Sequence, residues 1–378
     1  MSNRHDTIFL SAGEASGDAH CANLIRSLRA REPHLRFVGI GGDRMAEAGC
    51  ELLANTVKNA AMIYNAFKQI GYYRRLLKDV KEYFRGSEIS KIVVCDSPAF
   101  NFHVAKLAKR FDIPTFFYVA PQLWAWAPWR IHKLRRCCDT LACILPFEQQ
   151  WFRSRGINCR FVGNPLFDDM DLNVDSMRRD YGNFSADKAR IVLLPGSRDA
   201  EIEHLWQPMQ TIAKHLRGSF PDISVHAVAC DTEKLDKLKA SRIDGLECEF
   251  STGDLFKQCR NADLAFVASG SATLQVAASG CPMVVMYQSN RILWHIVGRW
   301  LIRIKHLSLV NILAGRKLVP EFMPYFTSVD PIISAAENLL KKPEDMKQIN
   351  HELLEIVRPM AAVNTSDTVA DMIVSDLL

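Results

Sequence analysis

The sequence lacks most of the patterns that mark familiar site chemistries. Its 11 cysteines are an odd number with no C-x-x-C pair, so neither a zinc ribbon nor a small disulfide scaffold is indicated. Reduced thiols in a cytoplasmic chain are expected instead. The 11 histidines show no H-x-x-x-H or H-E-x-x-H spacing, which removes the common zinc-hydrolase patterns, and no metal site is expected. G-x-G-x-x-G and G-x-x-x-x-G-K-[ST] are both missing, which argues against dinucleotide binding and ATP hydrolysis. Charge has no strong sign: 47 basic and 42 acidic residues leave +5, mild for a nucleic-acid binder, and no nucleic-acid partner is expected. Nor is there a run of about 20 predominantly apolar residues, as a spanning helix needs. Leu264–Asn290 is uncharged but broken by Gly270, Gly280 and Pro282, and Ile113–Trp129 by Pro114, Pro121 and Pro128. The apolar stretch Thr7–Ala12 is too short for a signal-peptide core and is followed closely by Glu14 and Asp18.

What is present is an alternation. The 378 residues are 48% apolar, enough for two folded domains. Short β-branched runs at Thr7–Ser11, Arg36–Ile40, Lys91–Cys95, Thr115–Val119, Thr140–Leu145 and Arg160–Val162 alternate with helical patterns such as Asp18–Arg29, Phe67–Phe84, Phe100–Arg110 and Glu148–Ser154. The second half repeats the scheme, with strands expected at Arg190–Leu194, Ser224–Ala229, Leu246–Phe250, Ala262–Ala268 and Met283–Tyr287. Such alternation predicts an α/β chain of two doubly wound, Rossmann-like parallel sheets. The boundaries read as 1–170 for the first domain, 186–345 for the second and 346–378 for a helical tail that packs back on the first. Ligands of open α/β sheets bind beyond the carboxyl ends of strands, so the site is expected in the cleft between the domains.

Two strand-to-helix loops in the second half have the make of phosphate cradles. Gly196, Ser197 and Arg198 follow one strand, and Ser269, Gly270, Ser271, Ala272 and Thr273 follow another. Amides at a helix N-terminus attract anions, and a guanidinium fork suits phosphate. A plain turn would explain the first loop equally, and a serine N-cap the second. Two cradles together point to a diphosphate. In the first half, the loop from Ala12 to Asp18 is glycine-rich but acidic. Glu14 suits a hydroxylated ligand, or offsets the helix dipole. Asp96, at the end of a strand, is a candidate general base or a helix cap. Asp169-Met170-Asp171 spells D-x-D within the expected linker, where a solvated turn explains it.

Two segments combine apolar and basic faces. One carries Ile63, Phe67, Tyr72 and Tyr73 with Arg74 and Arg75. The other carries Trp294 and Trp300 with Arg291 and Arg303. Basic amphipathic helices with aromatic residues suit an anionic membrane surface, although a helix packed on the core or the face of a homodimer would carry the same pattern.

Taken together, AGEASGD (12–18), DSPAFN (96–101), PQLWAW (121–126), LPFE (145–148), LLPGSR (193–198), ASGSATLQ (268–275), CPMVVMY (281–287) and NILAGRKLVPE (311–321) resemble the lipid-A-disaccharide synthase family, glycosyltransferase family 19, over nearly the whole chain. The resemblance implies a GT-B fold and an inverting, metal-independent transfer without a cofactor. A 2,3-diacylglucosamine would move from its UDP ester onto 2,3-diacylglucosamine 1-phosphate (lipid X), on the inner face of the cytoplasmic membrane. It also implies roles. Arg198 and Ser269–Thr273 would hold the diphosphate, with Asn311 and Arg316 lining the same cleft and Gln275 reaching a ribose hydroxyl. Asp96 would activate the acceptor hydroxyl and Glu14 would orient it. The chain departs from the family pattern at Ala99, Asn164, Gln275 and Pro324. A GT-B relative with another acceptor or an epimerase-like reaction, and a UDP- or lipid-binding relative without turnover, are the alternatives.

Overall fold

The computed structural model describes residues 7–58, 66–170, 172–289, 291, 294–295 and 304–377; of residues 66–70 only the backbone is described. Two compact units are present, Met1–Met170 with Met360–Leu378, and Asp171–Pro359.

The first unit is built on a seven-stranded parallel sheet. Its strands are β1 (Thr7–Ala12), β2 (Arg36–Gly41), β3 (Glu51–Asn55), β4 (Lys91–Cys95), β5 (Thr115–Tyr118), β6 (Thr140–Cys143) and β7 (Cys159–Phe161), in the order β3-β2-β1-β4-β5-β6-β7. The helices are α1 (Ala15–Arg31), α2 (Asp43–Glu47), α3 (Ala66–Gly86), α4 (Pro98–Ala108), α5 (Leu123–Trp126), α6 (Ile131–Cys137) and α7 (Glu148–Arg153). Central strands such as β4, with sequence KIVVC, are buried along their whole length, as a sheet covered on both faces requires. Side chains alternate across the sheet. Phe9, Ile92 and Val94 join a core made with α3, α4, α6 and α7. Ile8, Leu10, Val93 and Cys95 join the opposite core with α1 and the C-terminal helix.

The second unit holds β8 (Arg190–Leu194), β9 (Ser224–Ala229), β10 (Glu249–Thr252), β11 (Leu264–Ala268), β12 (Met283–Met286) and β13 (Glu321–Phe322), ordered β10-β9-β8-β11-β12-β13. Its helices are α8 (Asp199–Ser219), α9 (Thr232–Ala240), α10 (Leu255–Arg260), α11 (Ala272–Ala278), α12 (Leu309–Ala314), α13 (Asp330–Leu340) and α14 (Pro343–Ala361). Burial of Ile202, Leu205, Trp206, Met209, Ile212, Ala213 and Leu216 on α8 follows the three-to-four-residue repeat of a helix packed by one face. The chain returns to the first unit in the last turn of α14, and α15 (Thr365–Leu377) packs there against α1. Asp168 fixes that return by accepting the amides of Thr365 at 2.7 Å and Ser366 at 2.9 Å and the Ser366 hydroxyl at 2.6 Å.

Candidate active site

In each sheet the chain reverses its direction of growth once: between β1 and β4 in the first, and between β8 and β11 in the second. A crevice opens at such a switch point, beyond the strand ends. All four loops leaving these strands carry motif residues.

In the first unit, Asp96 and Ser97 both adopt positive φ, 52° and 41°. Non-glycine residues are uncommon there, and their presence marks a backbone held by its surroundings. Buried Asn101 does much of the holding. Its amide donates to the carbonyls of Asp96 at 2.7 Å and Cys95 at 2.9 Å, while its oxygen accepts the Ser11 hydroxyl at 2.6 Å. The Asp96 amide in turn donates to the Tyr118 carbonyl at 3.3 Å. The half-buried Asp96 carboxylate, by contrast, has no hydrogen-bond partner among the described residues and caps no helix; Ser97 is the N-cap of α4, and its side chain makes no bond to the helix. Glu14 stands at the N-cap of α1, exposed, likewise without a capping bond. Its carboxylate accepts the Ser97 hydroxyl at 3.3 Å. Gly13 permits this approach, since a Cβ there would lie 2.7 Å from the Ser97 oxygen. The fold therefore brings Glu14 and Asp96 to one place.

Within the same motif Asp18 is structural. It is buried and accepts the amides of Gly42, Arg44 and Met45 at 2.7, 3.2 and 3.1 Å, closing the N-terminus of α2. One residue that the sequence did not single out, His20, borders the site. His20, on the second turn of α1, lies with its ring 6.4 Å from that of Tyr118. Burial lowers its pKa, against the pull of Asp96, Asp168 and Asp169. Glu148 is fully buried and joins two motifs: it takes the Trp124 indole N–H at 2.9 Å and the amides of Leu145 and Ile144 at 3.0 and 3.2 Å. Desolvation outweighs those three donors and raises its pKa to about 7.

In the second unit the two loops differ. Gly196, at φ 112°, turns the chain so that Glu201 accepts the amides of Ser197 at 3.0 Å and Arg198 at 3.3 Å. The expected backbone cradle is thus occupied by the protein's own carboxylate in a capping-box arrangement. The Arg198 guanidinium, 3.0 Å from Glu201, remains 76% exposed. In the other loop, the amides of Gly270, Ser271 and Ala272 meet no acceptor among the described residues. Neither Ser269 nor Ser271 caps α11; the buried Thr273 hydroxyl donates to the Gly270 carbonyl at 2.7 Å instead. A Cβ on Gly270 would face open space. Gln275 is half-exposed on α11.

The expectation for Asn311 is corrected. It is fully buried, its oxygen accepts the amides of Leu318 and Val319 at 2.8 and 3.0 Å, and its amide donates to the Val319 carbonyl and Glu321. It holds the loop before β13 and presents no polar group to a ligand. Arg316 is exposed and pairs with Glu352 on α14. Asn164 is also structural: its oxygen accepts the Leu166 amide at 3.1 Å, and its backbone donates to the Met360 carbonyl.

The expected membrane-facing residues divide. Tyr72 and Tyr73 pack against the first unit's core, and Tyr73 stacks on Phe100 with centroids 5.1 Å apart. Burial, with Tyr72 and Glu14 adding to it, raises the pKa of the Tyr73 phenol. Arg74 and Arg75 are exposed. Arg291 lies over the Tyr325 ring at 5.0 Å, and Trp294 is half-buried. Ile63, Trp300, Arg303 and the Phe67 side chain, like Asp171 of the D-x-D, lie outside the described residues. Among the described residues no helix is long and apolar enough to cross a membrane.

The sequence profile described as lipid-A-disaccharide synthetase matches residues 8–368. The chain belongs to this family. Lipid-A-disaccharide synthase of Geobacter sulfurreducens is 32% identical over 384 residues, covering 99% of this chain and 98% of that protein. The Enterobacter sp. enzyme is 34% identical over 382 residues, covering 98% and 99%. Among solved structures, the calicheamicin glycosyltransferase CalG4 superposes with a TM-score of 0.60 at 15% identity, covering 100% of this chain and 99% of that one. UDP-GlcNAc 2-epimerase from Neisseria meningitidis, bound to UDP-GlcNAc, gives 0.56 at 12%, covering 98% and 99%. At these identities the likeness is one of fold, the expected GT-B fold of two parallel-sheet α/β units. The chain is thus a glycosyltransferase of lipid A synthesis.

Proposed function

We propose that this synthase transfers 2,3-diacylglucosamine from its UDP ester to lipid X by a single inverting, metal-independent displacement. One observation carries the reading: a carboxylate, Asp96, whose backbone is pinned from both sides while its oxygens remain without a partner, at the switch point of the first sheet. A general base needs that combination of fixed position and open lone pairs. Asp96 takes the proton from the acceptor hydroxyl, with Glu14 accepting a neighbouring hydroxyl hydrogen bond. The acceptor oxygen forms its bond to the anomeric carbon as the bond to UDP breaks, and UDP leaves with the electron pair. Arg198 and the open amides of Gly270, Ser271 and Ala272 stabilise the charge that collects on the diphosphate. The enzyme works as a peripheral protein at the inner face of the cytoplasmic membrane, where both acylated substrates reside.

The test supplies UDP-2,3-diacylglucosamine in detergent, with and without lipid X, and follows UDP release and product mass. UDP release that requires lipid X, with a disaccharide 1-phosphate product, is expected. Asp96→Asn, which the left-handed backbone tolerates, should retain UDP binding and lose about 10²–10⁴-fold in turnover. Near-normal turnover in that variant would remove Asp96 as the base, and UDP binding without lipid X-dependent release would overturn the acceptor assignment.

A further inference from the structure

Trp129 is the most exposed large apolar side chain among the described residues, at 53%. It sits in the 3-10 turn Pro128–Arg130 between α5 and α6. The turn is anchored from both sides. Ala127, Ile131 and Leu134 are buried on either side of it, Trp124 is tied to Glu148, and Arg130 covers the Trp126 ring at 4.8 Å. On α6, Lys133 and Arg136 follow Trp129 at helical spacing, on its side of the helix. Both are exposed, and neither has an ion-pair partner among the described residues. From Ile113 to Cys138 the chain carries Arg130, Lys133, Arg135 and Arg136 and not one carboxylate.

We propose that Trp129, Lys133 and Arg136 form a docking surface for an anionic lipid bilayer. An indole seeks the headgroup level of a membrane, and unpaired cations beside it match anionic headgroups. This surface also continues. α3, α4 and α6 pack side by side on one face of the first sheet, so the exposed Arg74 and Arg75 of α3 belong to the same layer. The proposal deepens the reading of an enzyme with acylated substrates, but its test uses no substrate, so the two can fail separately.

The full-length protein is sedimented with vesicles of phosphatidylethanolamine containing phosphatidylglycerol, and with vesicles of phosphatidylcholine alone. Binding to the anionic vesicles and not to the neutral ones is expected. Lys133→Glu with Arg136→Glu should weaken that binding by more than about 20-fold, on the order of fivefold for each charge lost and more for reversal. Trp129→Ala should weaken it several-fold. Lys239→Glu with Arg242→Glu, which makes the same charge change on exposed residues of the second unit, should have a much smaller effect. Circular dichroism verifies that each variant is folded. Equal losses in the two double variants would reduce the effect to net charge and overturn the proposal, as would wild-type binding by the Lys133/Arg136 variant.

Discussion

The loops that follow β8 and β11 leave neighbouring strands of one sheet, both rich in glycine and serine, both running into a helix, and in sequence both read as places for phosphate. In the structure the first is closed and the second open. Glu201, one turn into α8, takes the amides of Ser197 and Arg198. No side chain on α11 does the same for Gly270, Ser271 and Ala272. The difference teaches that small residues at a helix start leave a cradle only where the third helical position carries no acceptor. The first loop contributes a side chain, Arg198, and the second contributes backbone. The first unit repeats the closed design at residues 144–148, where Glu148 takes the amides of its own loop, fully buried.

The largest effect expected from this comparison concerns the buried closure. Glu148 holds its proton up to about pH 7 in the fold, well above an unfolded glutamate. Its stabilising contribution is therefore complete below the unfolded pKa and is lost as pH rises through 7. The loss is on the order of 3 kcal/mol. Urea unfolding across this range should show the decline in the wild type and a flatter profile in Glu148→Gln; coincident profiles would show that Glu148 does not titrate there. Next in size is Arg198→Ala. Removing one charge-assisted contact costs about 1.5–3 kcal/mol, a ten- to hundredfold weaker affinity for UDP by calorimetry. The melting temperature should hold, because the side chain is largely exposed. The smallest effect separates the loops most sharply. Gly196→Ala places a Cβ at positive φ, 2.4 Å from Glu201, and should lower stability by about 1–2 kcal/mol. Gly270→Ala meets open space and should leave the melting temperature unchanged while weakening UDP binding. The reverse pattern would break the distinction between closed and open.

The central strands were legible because a parallel strand buried on both faces reads as a continuous β-branched run; Lys91–Cys95, Arg190–Leu194 and Ser224–Ala229 lie where expected. β3 and β13 were not. They form sheet edges, their sequences ELLAN and EF hold no β-branched residue, and only pairing with β2 and β12 makes them strands. The site loops were visible from their glycines, hydroxyls and charges. What filled them was less so. Glu201 could have been found, since a glutamate at the third position after a helix cap is a capping-box signal. The burial of Asn311 and of Glu148 could not, because it follows from how the segment to Glu321 folds over Asn311 and from the Trp124 indole brought onto Glu148, which no spacing in the sequence announces. His20 became visible only once α1 lay against β4 and β5.

The measurement that tests the account most directly is a titration of the ¹⁵N-labelled, deuterated protein with UDP, followed by amide resonances. The account predicts large shifts at Gly270, Ser271 and Ala272 and in the Arg198 side chain, with the Ser197 amide, held by Glu201, nearly unmoved. Shifts confined to Ser197 and Arg198 amides, with the Gly270–Ala272 amides silent, would contradict it.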